Sequence, residues 1–370
     1  MKVLLTGADG FIGKNVRFAL CERNGFEVLP VTRSTDHASM QAMIDQSDAI
    51  IHLAGVNRPK NPTDFKSGNV DFTQTLCNSL VESGKALPIA FASSIQATLD
   101  NPYGQSKRLA ETVIEEYSKS TGAPASIFRF PNVFGKWCRP NYNSAVATFC
   151  YQISRGNPIH INDPSAVVRL VYIDDVVASL LGFLGAKSSG ANFVVVSPEY
   201  SLTVGELADQ LRRFHSGRKD MLTDRVGIGL TRALYATYVS YLPTESFSYP
   251  IPTHGDSRGL FVEMLKTPES GQFSYFTSHP GITRGGHYHH SKIEKFLVIK
   301  GRASFRFRHI VTNETYSLET HGSEPVVVET IPGWAHDVTN IGQDELVVML
   351  WANEVFDRTR PDTIASNVSA

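Results

Sequence analysis

The chain has 370 residues, 42% of them apolar and 19% charged, with a formal net charge of −1 from 35 basic and 36 acidic groups. That length exceeds what one core normally holds, so two domains are expected. A near-neutral chain without a basic run offers no field for nucleic acid or an anionic membrane, and no apolar stretch is long enough to span a bilayer.

Met1-Lys2-Val3-Leu4-Leu5-Thr6 is too short an apolar run for a signal peptide, and Cys21, Cys77, Cys138 and Cys150 show no C-x-x-C spacing. Both features point to a reduced, cytoplasmic protein with neither a disulfide framework nor a cysteine zinc site. Through about residue 215, apolar runs at Val3–Thr6, Glu27–Val31, Ala49–Leu53, Pro88–Ala92 and Ala125–Arg129 alternate with helical stretches such as Phe65–Ser83 and Gln105–Ser120. Such alternation predicts a doubly wound parallel α/β sheet of Rossmann type. Beyond Pro243, short β-rich segments follow one another: Leu260–Lys266, Gln272–Thr277, Lys295–Ile299, Ala303–Arg308, Pro325–Glu329 and Glu345–Trp351. They predict a small all-β antiparallel barrel. The boundary falls between Leu242 and Pro252, giving domains 1–245 and 246–370.

Directly after the first strand, Thr6-Gly7-Ala8-Asp9-Gly10-Phe11-Ile12-Gly13 opens a helix. Glycines there let the backbone turn tightly and approach a pyrophosphate, which the helix N-terminus attracts. Gly7, Gly10, Phe11, Ile12 and Gly13 are therefore expected at a dinucleotide. At the end of the second strand, where an acidic residue would hold the ribose of NAD, stands Arg33. A guanidinium suits a 2′-phosphate, which favours NADPH, with Asp36 as the rival ribose ligand. Tyr103 and Lys107 are spaced to share one helix face. There the ammonium can lower the phenol pKa and hold a nicotinamide ribose, while the phenol exchanges a proton with a substrate oxygen. Ser93 or Ser94 can polarise the carbonyl.

With His52-Leu53-Ala54-Gly55, Arg129-Phe130-Pro131-Asn132-Val133-Phe134-Gly135 and Arg169 ahead of Val171-Tyr172-Ile173-Asp174-Asp175, the first 240 residues or so resemble the extended short-chain dehydrogenase/reductase family. The resemblance implies that Leu53, Ala54 and Gly55 line the cofactor, that Asn132 and Arg169 contact the nucleotide of a UDP-, dTDP- or GDP-sugar, and that Ser94, Tyr103 and Lys107 are catalytic. A structural ion pair from Arg169 to Asp174 or Asp175 is the competing reading. Where the family's dehydratases carry an acid/base pair, this chain has Ile95-Gln96, which favours simple ketone reduction. Ser94 precedes Tyr103 by only nine positions, a shorter connection than is usual in the family.

Gly281 to Gly301 fits the cupin motif G-x5-H-x-H-x4-E-x6-G at His287, His289 and Glu294, and His336 follows in Pro332-Gly333-Trp334-Ala335-His336. Alternate strand residues face one way, so His287 and His289 both point inward, unless a one-residue slip substitutes His290. Three imidazoles and a carboxylate suit a divalent ion, Zn2+ ahead of iron, manganese or nickel. Upstream, Asp256-Ser257-Arg258-Gly259-Leu260-Phe261-Val262-Glu263 resembles the dTDP-4-keto-6-deoxyhexose 3,5-epimerases. Arg306 and Arg308 share a strand face and could take a pyrophosphate.

Over its full length the sequence resembles the CapF/WbjC family, through Leu53–Pro59, Ser94–Gly104 and Phe134–Asn143. That resemblance implies a homodimer acting on a UDP-activated keto-deoxy amino sugar. The cupin would epimerise C3 and the reductase would then use NADPH to reduce C4, giving UDP-2-acetamido-2,6-dideoxy-β-L-talose for UDP-N-acetyl-L-fucosamine. Two alternatives stand beside it: a non-catalytic, metal-stabilised cupin that dimerises or binds ligand, and a cofactor-recycling epimerase.

Overall fold

The structure is a computed structural model. It describes residues 1–369 apart from 60, 62, 186–188, 221, 252, 257–258, 263–264, 266, 268–270, 355–358 and 360, with backbone alone for 220, 253–256, 259–262 and 272–274. The chain forms two compact units. One comprises Met1–Phe134, Asn141–Ser144 and Val168–Ser201; the other comprises Gly135–Pro140, Ala145–Val167 and Leu202–Ala370.

In chain order the elements begin β1 (Lys2–Thr6), α1 (Phe11–Cys21), β2 (Glu27–Val31), α2 (His37–Gln46), β3 (Ala49–His52), α3 (Phe72–Glu82), β4 (Ile89–Ser94) and α4 (Pro102–Thr121). Next come β5 (Ala125–Phe130), β6 (Asn132–Phe134), α5 (Ala145–Ile153), β7 (Val167–Tyr172), α6 (Ile173–Phe183), β8 (Ala191–Val194), β9 (Glu199–Thr203), α7 (Val204–Asp220) and α8 (Gly229–Val239). In the first unit six strands form one parallel sheet in the order β2-β1-β3-β4-β5-β8. Its central strands read as continuous apolar runs, and all four residues of β3 are buried, because helices cover both faces. The chain leaves β1 to form β2 on one side and then β3 on the other. The switch point therefore lies between β1 and β3, and in open α/β sheets the place for a ligand is beyond the carboxyl ends of the strands at such a point.

Helix α4 starts at a strong local signal. The Asn101 side chain accepts from Gly104 N at 2.8 Å, and Pro102 occupies the first turn. Its buried face, Ser106, Lys107, Ala110, Glu111, Ile114 and Tyr117, follows the helical period onto the sheet. Gly104 is forced by close approach. A Cβ there would lie 2.1 Å from the Gln96 carbonyl, in the 3-10 turn Ile95–Thr98 that joins β4 to the helix. The short connection between Ser94 and Tyr103 is this turn packed directly under α4.

The second unit contains α5, α7 and α8, with Phe214 of α7 against Tyr235 and Tyr238 of α8 at 5.1 and 6.0 Å between ring centroids. Then follow β10 (Ser248–Pro250), β11 (Thr253–Asp256), β12 (Gly259–Val262), β13 (Gln272–Ser278), β14 (Thr283–Tyr288), β15 (Glu294–Lys300) and β16 (Arg302–His309). The rest are β17 (Thr315–His321), β18 (Val326–Glu329), β19 (Trp334–Asn340), β20 (Leu346–Ala352) and β21 (Ile364–Ala365). They make two five-stranded antiparallel sheets, β10-β18-β15-β20-β13 and β17-β16-β19-β14-β21, and the hairpin β11-β12. Aromatic rings join the two sheets: Phe296 of β15 lies 5.6 Å from Phe305 of β16, and Phe247 lies 5.0 Å from Trp334. Of the Asp256–Glu263 stretch, Arg258 and Glu263 lie outside the described residues. Among the described residues no helix is long and apolar enough to cross a membrane.

A buried charge cluster ties α7 and α8 to the sheets within this unit. Glu329 has no exposed surface; its carboxylate meets Lys295 Nζ at 2.6 Å, accepts from Tyr235 OH at 3.1 Å and pairs with Arg218. Lys295 also donates to Tyr249 OH at 2.8 Å. Removing the carboxylate strands two buried cations, which costs about 3–5 kcal/mol. Glu329→Leu is therefore expected to lower the unfolding free energy of this unit by about that amount. All three tryptophans of the chain, Trp137, Trp334 and Trp351, belong to it, so urea unfolding followed by tryptophan fluorescence reads its stability alone.

Candidate functional site

The glycine turn sits at the switch point. Gly7 has φ +68°, which favours glycine, and its missing Cβ leaves room for the β3 end: a side chain would lie 2.8 Å from Ala54 N. A Cβ on Gly13 would lie 2.1 Å from the Gly7 carbonyl, so this glycine lets α1 pack on the turn. Gly10 caps α1, and Phe11 and Ile12 form its first turn. Leu53, Ala54 and Gly55 follow β3 beside them; Leu53 N and Ala54 N both donate to Thr6 Oγ1, at 3.2 and 3.1 Å. Arg33 is exposed beyond β2, with no ion pair among the described residues. Asp36 is occupied as the N-cap of α2, accepting from Ser39 N and Ser39 Oγ at 2.8 Å each.

A buried hydrogen-bond chain runs from this turn to α4. Thr6 Oγ1 lies 2.6 Å from His52 Nδ1, and His52 Nε2 lies 2.9 Å from Thr73 Oγ1. Thr73 donates to the Asn69 carbonyl at 2.6 Å, so its oxygen accepts from His52 Nε2–H, and His52 Nδ1 accepts from Thr6. These directions assign the tautomer. Burial, with Lys107 adding to it, lowers the His52 pKa to about 3, so the ring stays neutral. Asn69 Nδ2 donates to Val56 O and to Ser106 Oγ, both at 2.9 Å, and Ser106 Oγ donates to the Tyr103 carbonyl at 2.8 Å.

The two candidate serines separate cleanly. Ser93 donates to Glu111, whose carboxylate is held by Arg129 at 2.9 and 2.6 Å, whereas Ser94 Oγ accepts from Gln96 N at 3.2 Å and is the hydroxyl that acts on the Tyr103 phenol. Burial raises the Tyr103 pKa and the Ser94 contact opposes it, so the phenol is protonated at neutral pH. The expected lowering by Lys107 does not govern it. Lys107 Nζ instead donates to the Ala92 carbonyl at 2.6 Å and lies 4.4 Å above the Phe91 ring. Burial lowers the Lys107 pKa to about 8, with Glu111 opposing. Glu111 escaped the sequence reading, although its position one turn after Lys107 on the buried face was a signal.

Asn132 and Arg169 come together at the paired strands β6 and β7, where Asn132 Nδ2 donates to the Arg169 carbonyl at 3.1 Å. The Arg169 guanidinium grips Glu199 of β9 through two hydrogen bonds, one at 2.9 Å, rather than Asp174 or Asp175.

In the second unit, His287, His289, Glu294 and His336 converge, each offering a ligand atom within 4.8 Å of the others. His287 of β14 pairs in register with His336 of β19 after a bulge at Gly285 and Gly286, both at positive φ. His289 lies just past β14, and Glu294 opens β15. His290 turns away, its ring on Tyr288, so the one-residue slip does not occur. Glu294 Oε2 is 3.3 Å from His289 Nε2 and 3.6 Å from His336 Nε2. The edge of a tetrahedron with ~2.1 Å metal bonds is about 3.4 Å, so the spacing fits a divalent ion. Neither ring nitrogen of buried His336 has a hydrogen-bond partner, which is what a ligand awaiting a metal looks like. Burial, then His336 and His289, lower the His287 pKa to about 4. Burial opposes ionisation of Glu294, but its neighbours, Lys292 Nζ at 2.7 Å among them, outweigh it and hold the carboxyl well below its usual range. A neutral imidazole and an ionised carboxylate are the ligand states that a divalent ion requires. Arg306 and Arg308 are engaged elsewhere, Arg306 with Asp337 at 2.9 and 2.6 Å and Arg308 with the Asn367 carbonyl at 2.8 Å.

Residues 3–196 match the NAD dependent epimerase/dehydratase family, and residues 254–364 match the polysaccharide biosynthesis C-terminal domain. The chain is 57% identical over 368 residues to a Pseudomonas aeruginosa protein named UDP-2-acetamido-2,6-beta-L-arabino-hexul-4-ose reductase, covering 100% of this chain and 99% of that one. Among solved structures, the capsular polysaccharide assembling protein CapF from Staphylococcus aureus is 40% identical with a TM-score of 0.68, covering both chains completely. A CapF structure with the inhibitor 3-isopropenyl-tropolone is 36% identical, also over both full chains, with a TM-score of 0.63. The chain belongs to the CapF/WbjC family, in which an epimerase/dehydratase-family segment is followed by a polysaccharide biosynthesis C-terminal domain.

Proposed function

We propose that the chain is a bifunctional nucleotide-sugar enzyme, with a reductase over 1–245 and a metal-binding cupin barrel over 246–370. The cupin epimerises C3 of a UDP-2-acetamido-2,6-dideoxy-4-keto-hexose, and the reductase then reduces C4 to give UDP-2-acetamido-2,6-dideoxy-β-L-talose. The observation that carries the reading is the Ser94–Tyr103 hydroxyl pair on β4 and α4 of the parallel sheet, in a chain similar over its whole length to a UDP-sugar reductase.

The cofactor is NADPH, which supplies a hydride when bound. Gly7, Gly10, Phe11, Ile12 and Gly13 form the turn that cradles its pyrophosphate, with Leu53, Ala54 and Gly55 alongside. Arg33 takes the 2′-phosphate, a choice favoured because Asp36 is committed to capping α2. Ser94 polarises the C4 carbonyl. Tyr103, protonated at neutral pH, gives its proton to the oxygen as the alcohol forms. Lys107 holds the ribose and presents its charge from beneath the phenol. Asn132 and Arg169 orient the UDP.

In the cupin, His287, His289, Glu294 and His336 hold the metal, Zn2+ by ligand chemistry. A bound divalent ion would stabilise charge developing on the ketone oxygen while the adjacent C–H loses its proton. Tropolones chelate divalent ions through adjacent oxygens, so the inhibitor reported with CapF is consistent with such a centre. A cytoplasmic homodimer completes the proposal.

Stoichiometric NADPH oxidation with a panel of UDP-4-keto-6-deoxy sugars tests the reductase; turnover without net oxidation overturns it. Tyr103→Phe is expected to slow reduction by roughly 10²–10⁴-fold. With Lys107 lowered to about 8, the rate is expected to fall as pH rises through that value, because deprotonation removes the positive charge beside the cofactor. Lys107→Arg, always charged, should retain its residual rate above that pH. The epimerase is tested with Tyr103→Phe in deuterated water, where the ketone persists. Deuterium is expected to enter C3, and to stop entering after metal chelation or His336→Ala. No entry in the metal-loaded protein means a non-catalytic cupin.

A further inference from the structure

Asp362 lies outside every motif, yet it touches each part of the loop between two of the clustered ligands. Its carboxylate accepts from His290 N at 2.8 Å, Ser291 N at 2.7 Å, Lys292 N at 2.7 Å and Ser291 Oγ at 3.0 Å. These are three successive backbone donors of the turn joining His289 to Glu294. The Asp362 carbonyl meets His289 Nδ1. A carbonyl can only accept, so Nδ1 carries the proton and His289 Nε2 presents its lone pair toward Glu294, 3.3 Å away. The same segment grips the other side of the centre. Strand β21 pairs with β14 at His287↔Ala365 and Tyr288↔Ile364, and Ser366 N donates to the Gly286 carbonyl at 2.8 Å, beside the bulge that aims His287. Buried Val368 packs with Tyr288 and Ala335, next to His336.

We propose that the segment Asp362–Val368 is the positioning element of the His287/His289/Glu294/His336 centre, with Asp362 fixing both the ligand turn and the metal-binding tautomer of His289. Metal ligands depend on such outer partners for their orientation and basicity. The inference rests on the reading of that centre as a divalent metal site. It reaches one ligand through hydrogen bonds and another through strand pairing, so a segment remote in sequence from the motif sets the geometry of two of its four members.

The test uses the full-length chain, stripped with a chelator and reloaded with Co2+, read by the visible absorption of the bound ion and by competition with a chromophoric chelator. Wild-type protein is expected to bind one ion per chain. Asp362→Ala is expected to bind it roughly 10–100-fold more weakly and to change the Co2+ spectrum. Asp362→Asn keeps one acceptor oxygen and should fall between them. Wild-type affinity and spectrum in Asp362→Ala overturn the inference. Should that variant not fold, as judged by thermal unfolding of the metal-free protein, wild-type values in Asp362→Asn overturn it instead. If the wild-type chain itself binds no Co2+, the metal reading fails and the inference with it, an outcome distinct from loss in the variants alone.

Discussion

The first unit depends on one buried chain of hydrogen bonds, from Thr6 through His52, Thr73, Asn69 and Ser106 to the Tyr103 carbonyl. Each donor in it has an acceptor, and a buried polar group left unmatched costs roughly 1–3 kcal/mol. The requirement fixes more than stability. Thr6 ends β1, His52 ends β3 and Tyr103 begins α4, so satisfying the chain places the glycine turn, the β3 end and the phenol in one arrangement at the sheet's switch point. It also requires a neutral His52. A protonated ring would need an acceptor on both nitrogens; Thr73 already accepts from Nε2, but Thr6 Oγ1, which accepts from Leu53 N and Ala54 N, could accept from Nδ1 only by giving up one of those partners.

Charge is handled differently in the two units. Around Tyr103 the cation is solitary: Lys107 is buried, donates to a backbone carbonyl and has its carboxylate neighbour, Glu111, shared with Arg129 and Ser93. Burial then draws the lysine down to about 8 while pushing the phenol up, so the two groups, nearly alike in acidity when free in water, move apart and the phenol is the one that keeps its proton. A phenol protonated at neutral pH is the form that a proton donor needs at the start of the step. Around Glu329 the charges are instead compensated: Arg218 and Lys295 surround one carboxylate, and the same Lys295 is held by Tyr249. Such a cluster fixes which faces of α7, α8, β15 and β18 can meet, because any other packing buries a charge without a partner.

Much of the parallel sheet was legible because its central strands are buried on both faces and read as uninterrupted apolar runs, as in β3; the edge strand Glu27–Val31, only partly buried, nevertheless has the bounds expected of it. Helix α4 begins three residues before the expected Gln105, since the start signal at Asn101-Pro102 lies ahead of the periodic stretch. The helical stretch from Phe65 opens as a π-helical turn over Lys66–Asp71 before α3. In the second unit β15, β16 and β20 stood out; β14 was expected only through the alternation of His287 and His289, and it bulges at Gly285 and ends at Tyr288, so His289 reaches the cluster from just past the strand. The clustering of the four motif residues follows from spacing; Asp362 does not, because its partners are backbone amides more than 69 residues away, and such contacts leave no pattern in sequence. Likewise Glu199, the partner of Arg169, lies 30 residues on and on another strand.

The proposed chemistry orders the two steps without any appeal to geometry between the units. A C–H bond is acidic only while the carbonyl beside it survives, because the negative charge left behind needs that oxygen. Once Tyr103 has delivered its proton and C4 is an alcohol, the neighbouring carbon can no longer be inverted by a base. Epimerisation must precede reduction, and the reductase acts as the irreversible stop. Its selectivity then decides the product: if epimerisation is a reversible equilibrium, the pocket around Ser94 and Tyr103 has only to reduce one epimer faster, and a difference of about 2.7 kcal/mol in barrier gives a hundredfold preference. In that proposal, a site where the C3 proton exchanges and a phenol that commits one epimer are complementary requirements, a reason for both residue sets to be carried on one chain.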